Sequence, residues 1–236
     1  MKLHVVIPCF EAEATIGDVV RGARAGGWPV AVVDDGSRDG SAAAAEAAGA
    51  VVLRHPANHG KGAALQTGFA WAESRGATAI ATLDADGQHD PADLESLIAA
   101  HRANPRALVI GVRSFAPDAM PTWSRIGNRI STYWISRYAG RPHRDTQSGF
   151  RVYPRVLYAS APLRSRRFET ESELVLYAAK MSLPLVEVPI RTIYRVGRGG
   201  GNGGRAGSHF RGFQDTLRIM RLVFLSPLWR RVEARE

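Results

Sequence analysis

Three polar clusters in the first half of the chain carry side chains that could bind a metal ion and a phosphorylated ligand. They are residues 8–11, 34–37 and 84–90, and each directly follows a short apolar run that predicts a buried strand. In an open parallel sheet the carboxyl ends of the strands meet at one edge, where ligands bind. The sequence therefore predicts one ligand site to which all three clusters contribute.

The cluster after the fourth apolar run contains two carboxylates one residue apart, Asp84 and Asp86. Carboxylate oxygens suit Mg²⁺ or Mn²⁺, which bind phosphate oxygens alongside one or two carboxylates. A lone Asp-x-Asp sequence is usually a solvated turn. Here it follows the apolar run 80–83 and precedes Gly-Gln-His-Asp-Pro at 87–91, which favours a metal site.

The loop 58–64, Asn-His-Gly-Lys-Gly-Ala-Ala, places Lys61 between two glycines, an arrangement that suits phosphate binding. It is not a P-loop, because no Ser or Thr follows Lys61. No dinucleotide-binding glycine fingerprint follows the first predicted strand either. We therefore do not expect a nicotinamide cofactor.

Apolar runs and helical patterns alternate over residues 3–112, which predicts an α/β fold with a mostly parallel central sheet and helices on both faces. The predicted strands are 3–7, 30–33, 50–53, 77–83 and 108–112, and the predicted helices are 14–25, 41–48, 62–74 and 91–102. The second half predicts a helix over 123–138, an edge strand over 149–153, a helix over 171–181 and a strand over 185–190. Residues 195–208 predict a mobile loop rich in glycine and arginine, followed by a helix over 209–225.

Basic residues are concentrated in the second half of the chain. Residues 113–236 carry 22 of the 31 Lys and Arg residues, whereas residues 1–112 have a net charge of −4. Arginine accounts for 28 of the 31, and a codon preference explains part of that excess but not the asymmetry. Such a basic half is typical of proteins that bind a phosphorylated substrate, an anionic membrane or nucleic acid. No nucleic-acid-binding module accompanies it, so nucleic acid is not an expected partner.

Several motifs occur together in a recognisable order. They are Val-Val-Ile-Pro-Cys-Phe at 5–10, Val-Asp-Asp-Gly-Ser-Arg-Asp-Gly-Ser at 33–41, the loop 58–64, Leu-Asp-Ala-Asp-Gly-Gln-His at 83–89, and Asp-Thr-Gln-Ser-Gly-Phe-Arg at 145–151. This combination resembles family 2 glycosyltransferases of the GT-A fold, in the branch of dolichyl- and polyprenyl-phosphate mannose and glucose synthases. The resemblance covers residues 3 to about 194, and more loosely the remainder.

The resemblance implies an inverting enzyme that uses a nucleotide-diphosphate sugar, of the GDP-mannose or UDP-glucose type, together with Mg²⁺ or Mn²⁺. It assigns Asp86, with Asp84 and Gln88, to the metal ion. It assigns Lys61 and Arg113 to phosphate or sugar. The residues that it places in the nucleotide-sugar site are Pro8, Phe10, Glu11, Asp34, Asp35, Lys61, Asp84 and Ala85. Glu11 stands where relatives usually have Asn, so the contact made there is left open.

The second half is expected to supply the acceptor site. A lipid phosphate is already an anionic nucleophile, whereas an alcohol needs a general base. Asp145 and Glu171 are the candidate bases, and Arg113 is a further candidate catalytic residue. For Glu171 the alternative is an acidic first turn favoured by the helix dipole. By resemblance, the residues over the acceptor and diphosphate are Gln147, Ser148, Arg191, Arg205, Ser208 and His209, the last ones on a lid loop.

We predict a single domain over residues 1–236. It comprises a nucleotide-sugar and metal half (1–112), an acceptor half with the lid loop (113–208) and a C-terminal basic amphipathic helix (209–236). That helix is expected either to pack on the sheet or to lie on an anionic membrane. The expected function is transfer of a hexose to a polyprenyl phosphate or another lipid-linked acceptor, with a soluble or glycolipid hydroxyl acceptor as the alternative.

Two rival classes are a nucleotidylyltransferase and a non-catalytic module that binds anionic lipid. The first would place a glycine-rich loop after the first strand, and residues 8–15 contain no glycine. The second would be expected to lose the two carboxylates of residues 84–86. A single cysteine excludes an internal disulfide framework, and no apolar run approaches the ~18 residues of a membrane span. We therefore expect a cytoplasmic protein that is soluble or bound peripherally to the cytoplasmic face of a membrane.

Overall fold

The computed structural model describes residues 1–113, 132–133, 136–137, 143–167 and 169–193. The strands are β1 (Leu3–Cys9), β2 (Val30–Asp34), β3 (Val51–Arg54), β4 (Ala79–Thr82), β5 (Leu108–Arg113), β6 (Arg151–Pro154) and β7 (Leu185–Ile190). The helices are α1 (Glu13–Arg24), α2 (Ser41–Ala47), α3 (Lys61–Ser74), α4 (Leu94–Ala103), α5 (Arg155–Tyr158) and α6 (Glu169–Lys180). A short 3₁₀ turn, Pro91–Asp93, precedes α4.

The seven strands form one sheet in the order β3-β2-β1-β4-β6-β5-β7. Neighbouring strands are parallel except around β6, which runs antiparallel to both β4 and β5. The predicted α/β fold with a mostly parallel sheet is therefore confirmed. Because β1–β5 come from the first half and β6 and β7 from the second, the sheet joins the two halves.

The prediction of an edge strand over 149–153 was wrong. β6 lies inside the sheet between β4 and β5, and all four of its residues are buried. Its first residue is the charged Arg151, and charged residues usually lie at exposed positions. In the structure the guanidinium is fully buried and bonded to backbone carbonyls, so its charge does not require an edge position.

Helices cover both faces of the sheet, as predicted. All seven residues of β1 are buried, and alternate side chains of a strand point to opposite faces. Val6 packs into the core formed with α3, α5 and α6. Val5 and Ile7 pack into the second core, formed with α1 and α4. Gly68 of α3 allows close approach to β1, since a Cβ there would overlap the Val6 side chain.

Three predicted features fall mainly or wholly outside the described residues. Of the predicted helix 123–138 the structure describes only residues 132, 133, 136 and 137, which are helical. The lid loop 195–208 and the C-terminal helix 209–236 lie outside the described residues. Within the part that is described, no helix is both long and apolar enough to cross a bilayer.

Candidate active site

The structure brings the first two polar clusters together at the carboxyl edge of the sheet. Cys9 at the end of β1 is paired with Asp34 at the end of β2, and the Asp35 N–H donates to the Cys9 carbonyl at 2.8 Å. The Glu11 N–H donates to Ser37 Oγ at 2.9 Å. Pro8 is buried beside this junction, Phe10 is half-buried and Glu11 is exposed.

The third cluster joins the same edge through α1. Thr15 Oγ1 donates to the Ala85 carbonyl at 2.6 Å, which fixes the turn between the two carboxylates of residues 84 and 86. Ala85 itself is 7% exposed. The predicted convergence of the three clusters is therefore present in the fold.

One lysine connects this edge to the acceptor half. Lys61, the first residue of α3, places Nζ 2.5 Å from Asp84 Oδ1 and 2.9 Å from Glu171 Oε1. Burial disfavours the charged ammonium, but the two carboxylates outweigh it and raise the pKa of Lys61. Burial also opposes ionisation of Asp84, yet Lys61 lowers the pKa of this carboxyl to about 2. The three side chains form one ionic cluster, in which Glu171 is buried and Lys61 and Asp84 are half-buried.

A second ion pair lies at the end of β5. Arg113 donates from Nε to Asp145 Oδ2 at 2.7 Å and from Nη2 to Asp145 Oδ1 at 3.1 Å. The Gln147 N–H also donates to Asp145 Oδ1, at 3.1 Å. Asp145 is fully buried. Both candidate bases, Asp145 and Glu171, are thus engaged by cations.

Asp86 is a half-buried carboxylate beside another one, so a cation would stabilise its charged form. Burial and the neighbouring Asp84 charge raise the pKa of Asp86 to about 6. Its Oδ1 accepts a hydrogen bond from the Gln88 N–H at 3.0 Å. Among the described residues no group of three or more His, Cys, Asp or Glu side chains could enclose a metal ion. Two close carboxylates fit Mg²⁺ or Mn²⁺ if phosphate and water complete the coordination.

The two carboxylates of residues 34 and 35 hold neighbouring loops. Asp34 Oδ1 accepts from the Ser37 N–H at 2.9 Å, and Arg54 Nε lies 3.1 Å from Asp34 Oδ2. The two oxygens of Asp35 accept hydrogen bonds from the backbone N–H groups of His59, at 3.0 Å, and Gly60, at 2.7 Å. Asp35 therefore fixes the loop that delivers Lys61, while its predicted nucleotide contact stays a prediction.

The predicted lid residues fall in three places. Gln147 Nε2 donates to Ser172 Oγ at 3.0 Å in α6, and Ser148 is fully buried. Arg191 pairs with Asp93 at 2.9 Å and with Asp90 at 3.0 Å, beside the 3₁₀ turn. Three further predicted residues lie outside the described part of the chain, namely Arg205, Ser208 and His209.

Sequence reasoning assigned no role to two residues that support the site. Gly149 packs against Asp84, since a Cβ at this position would lie 2.5 Å from both carboxylate oxygens. Arg151 donates to the carbonyls of Ser148, Glu171 and Thr146 at 2.7–2.8 Å. Both residues lie in the motif 145–151, but neither residue type signals such contacts from the sequence alone.

The family model for glycosyl transferase family 2 matches residues 4–163. The chain belongs to glycosyltransferase family 2. This membership confirms the expected resemblance and decides for a glycosyltransferase over a nucleotidylyltransferase. The match contains the carboxyl edge with Asp84 and Asp86, Lys61 and the Arg113–Asp145 pair.

Curated relatives of this glycosyltransferase span most of its length. An uncharacterized protein of Methanocaldococcus jannaschii is 37% identical over 202 residues, or 82% of each chain. The UDP-N-acetylglucosamine–dolichyl-phosphate N-acetylglucosaminyltransferase of Methanococcus voltae is 30% identical, with 81% of this chain and 86% of the relative covered. The undecaprenyl-phosphate mannosyltransferase of Micrococcus luteus is 30% identical, with 70% and 72% covered.

Solved structures confirm the GT-A fold of this family member. The glucosyl-3-phosphoglycerate synthase of Mycobacterium tuberculosis, solved in complex with Mn²⁺, UDP and phosphoglyceric acid, superposes with a TM-score of 0.70. It is 19% identical, and the match covers 94% of this chain and 75% of that one. At this identity the likeness establishes the fold alone.

Proposed function

We propose that this glycosyltransferase moves a hexose from a nucleotide-diphosphate sugar to a polyprenyl phosphate, with inversion at the anomeric carbon. Two relatives, from Methanococcus voltae and Micrococcus luteus, are named as transferases that act on dolichyl phosphate and undecaprenyl phosphate. The same names give different sugars, so the donor is proposed only as a class, of the GDP-mannose or UDP-glucose type.

The acceptor proposal rests on the ion pairs that engage both candidate bases. Glu171 is 3% exposed and bound to Lys61, and Asp145 is fully buried and bound to Arg113. The carboxylate oxygens that bind Lys61 and Arg113 are already engaged by N–H donors, so they are less available to accept a proton from an alcohol. An alcohol acceptor needs such a base, whereas a phosphate oxygen is nucleophilic without proton removal. The ion pairs therefore favour a phosphate acceptor.

The donor is proposed to bind at the carboxyl edge of the sheet. Asp86 and Asp84, with Gln88, would hold Mg²⁺ or Mn²⁺. When bound, this ion neutralises charge on the departing nucleoside diphosphate. Lys61 keeps Asp84 and Glu171 in place, and Arg113 positions the buried Asp145 loop. The protein's own contribution is thus a set of charges fixed before the donor arrives.

The acceptor proposal is tested by comparing a short-chain polyprenyl phosphate with the corresponding polyprenol, both dissolved in detergent. A panel of nucleotide sugars is first screened by calorimetry with Mn²⁺ to find the donor. We expect glycosylated lipid from the phosphate and none from the alcohol. Transfer to the polyprenol, or to a soluble hydroxyl acceptor, without transfer to the phosphate would overturn the proposal in favour of a base-catalysed enzyme.

We also propose that the enzyme works peripherally at the cytoplasmic face of a membrane. The support is the proposed acceptor, because a polyprenyl chain is embedded in the bilayer while its phosphate lies at the surface. Fractionation of cells that express the full chain, with and without a high-salt wash, tests this. Enzyme that never sediments with membranes at low salt would contradict it.

A further inference from the structure

The segment between α5 and α6 carries an exposed group of positive charges, and we call residues 161–167 the arginine loop. Arg164, Arg166 and Arg167 are all exposed. None of the three side chains forms an ion pair or hydrogen bond with another residue that the structure describes. Other arginines are paired, for example Arg113 with Asp145 and Arg191 with Asp93.

The backbone of the arginine loop is nevertheless firmly held. The buried Glu173 of α6 accepts hydrogen bonds from the N–H groups of Arg164, at 3.1 Å, and Ser165, at 3.0 Å. Gln66 Nε2 donates to the Ser165 carbonyl at 3.1 Å. The Ala63 N–H donates to the Arg166 carbonyl at 3.2 Å. The fold therefore fixes three like charges close together, although they repel one another.

The arginine loop borders the candidate active site. Gly60 and Gly62 pack directly against the backbone of Arg166, and a Cβ at either glycine would collide with this segment. Lys61 lies between these glycines and binds Asp84 and Glu171. The exposed charges are thus one loop away from the ionic cluster that joins the two halves of the site.

We propose that the arginine loop contacts anionic phospholipid headgroups and so holds the active site against the membrane surface. Guanidinium groups bind phosphate with paired hydrogen bonds. Three exposed arginine side chains can each bind a different phosphate, which suits a membrane surface that presents many phosphate groups. The single phosphate of the acceptor is instead expected to bind at the charged groups of the candidate active site. That the membrane supplies the acceptor rests on the proposed function. That the arginine loop binds anionic headgroups does not depend on it.

The test is co-sedimentation with vesicles of phosphatidylcholine with or without phosphatidylglycerol, with neither donor nor acceptor present. The loop variant is Arg164→Gln/Arg166→Gln/Arg167→Gln. The matched control is Arg21→Gln/Arg102→Gln/Arg106→Gln, which loses the same charge from exposed sites on α1 and at the end of α4. Those helices pack on the opposite face of the sheet from α3 and α6.

We expect the loop variant to bind phosphatidylglycerol vesicles about fivefold more weakly for each arginine removed. The control should stay within about twofold of the unmodified protein, and added salt should remove the difference. Equal losses in both variants would show an effect of net charge only and would overturn the proposal. Wild-type binding by the loop variant would overturn it as well.

Transfer to detergent-dissolved polyprenyl phosphate separates this inference from the proposed function. The loop variant should keep wild-type transfer there, because no membrane is involved. Loss of transfer in detergent would show that the arginines bind the acceptor itself, which overturns the membrane role. If the wild-type protein showed no transferase activity but the loop variant still bound anionic vesicles more weakly than the control, the proposed function would be refuted. The membrane-binding role of the arginine loop would then be supported.

Discussion

Lys61 Nζ lies 2.9 Å from Glu171 Oε1, so the first turn of α3 is tied to the first turn of α6 by a nearly buried ion pair. The same ammonium binds Asp84 at the end of the fourth strand. One cation therefore sets the relative positions of the carboxylate turn and the acceptor half.

Lys61→Met should destabilise the protein by about 3 kcal/mol, because it leaves two carboxylates in a largely buried place without their counter-charge. Urea unfolding measures this effect. Lys180→Met, at the exposed end of α6, is the control and should be nearly neutral. Adding Glu171→Gln to Lys61→Met should recover part of the loss, since one of the two uncompensated charges is then gone. Equal stability of Lys61→Met and the wild type would contradict the role of the cluster.

Asp86→Ala should abolish metal-dependent binding of the donor nucleotide and lower transfer by about a hundredfold or more, since several kcal/mol of charge stabilisation are lost. The fold should be retained, because the residue lies past the end of β4 and is only partly buried. Calorimetry with Mn²⁺ and nucleoside diphosphate measures the binding. Asp18→Ala, an exposed carboxylate on α1, serves as control. Full wild-type turnover in EDTA would rule out the metal role.

Gly149→Ala should lower the affinity for the donor nucleotide while reducing the free energy of unfolding to a lesser extent. The added Cβ would lie 2.5 Å from both oxygens of Asp84, so the carboxylate has to move away from Lys61. Gly17→Ala is the matched control, because its Cβ would come closest to the flexible end of Arg21, at 3.3 Å, and would lie at ordinary contact distance from the Ala44 carbonyl, at 3.7 Å. Replacing glycine in a helix interior is usually stabilising by about 0.5–1 kcal/mol. Donor affinity of Gly149→Ala equal to that of the control would contradict this prediction.

The sequence allows prediction of those parts of the fold where local pattern and tertiary environment agree. β1 is a continuous apolar run and is buried along its whole length, so its position is evident from the residues alone. β7 was predicted with its observed bounds, Leu185–Ile190, from its mainly apolar residues, although only Ile190 is buried. β6 lies inside the sheet although it begins with an arginine, a residue that is rarely fully buried unless its charge is paired; here backbone carbonyls bind the guanidinium.

The candidate site shows the same division. The carboxylates at 84, 86, 145 and 171 are evident in the sequence, and their roles as metal ligands or bases could be proposed from residue type and position. The pairing of Lys61 with Glu171 could not, because it depends on how α6 packs beside α3, more than a hundred residues along the chain. The acidic turn that contains Asp35 is likewise visible in the sequence. The hydrogen bonds that Asp35 accepts from the N–H groups of His59 and Gly60 could not be predicted, because they form only when the loop 58–60 is folded beside it.

The guanidinium of Arg151 links the loop 145–150 to the start of α6. Nε, Nη1 and Nη2 donate to the carbonyls of Ser148, Glu171 and Thr146 at 2.7–2.8 Å. Arg151→Met keeps the apolar stem but removes a charged hydrogen-bond donor from three buried carbonyls, so it should cost about 3–5 kcal/mol in urea unfolding. Arg151→Lys should recover only part of this, because an ammonium cannot reproduce the planar fork. Arg155→Met, exposed on α5, should change little, and a fully stable Arg151→Met protein would refute the link.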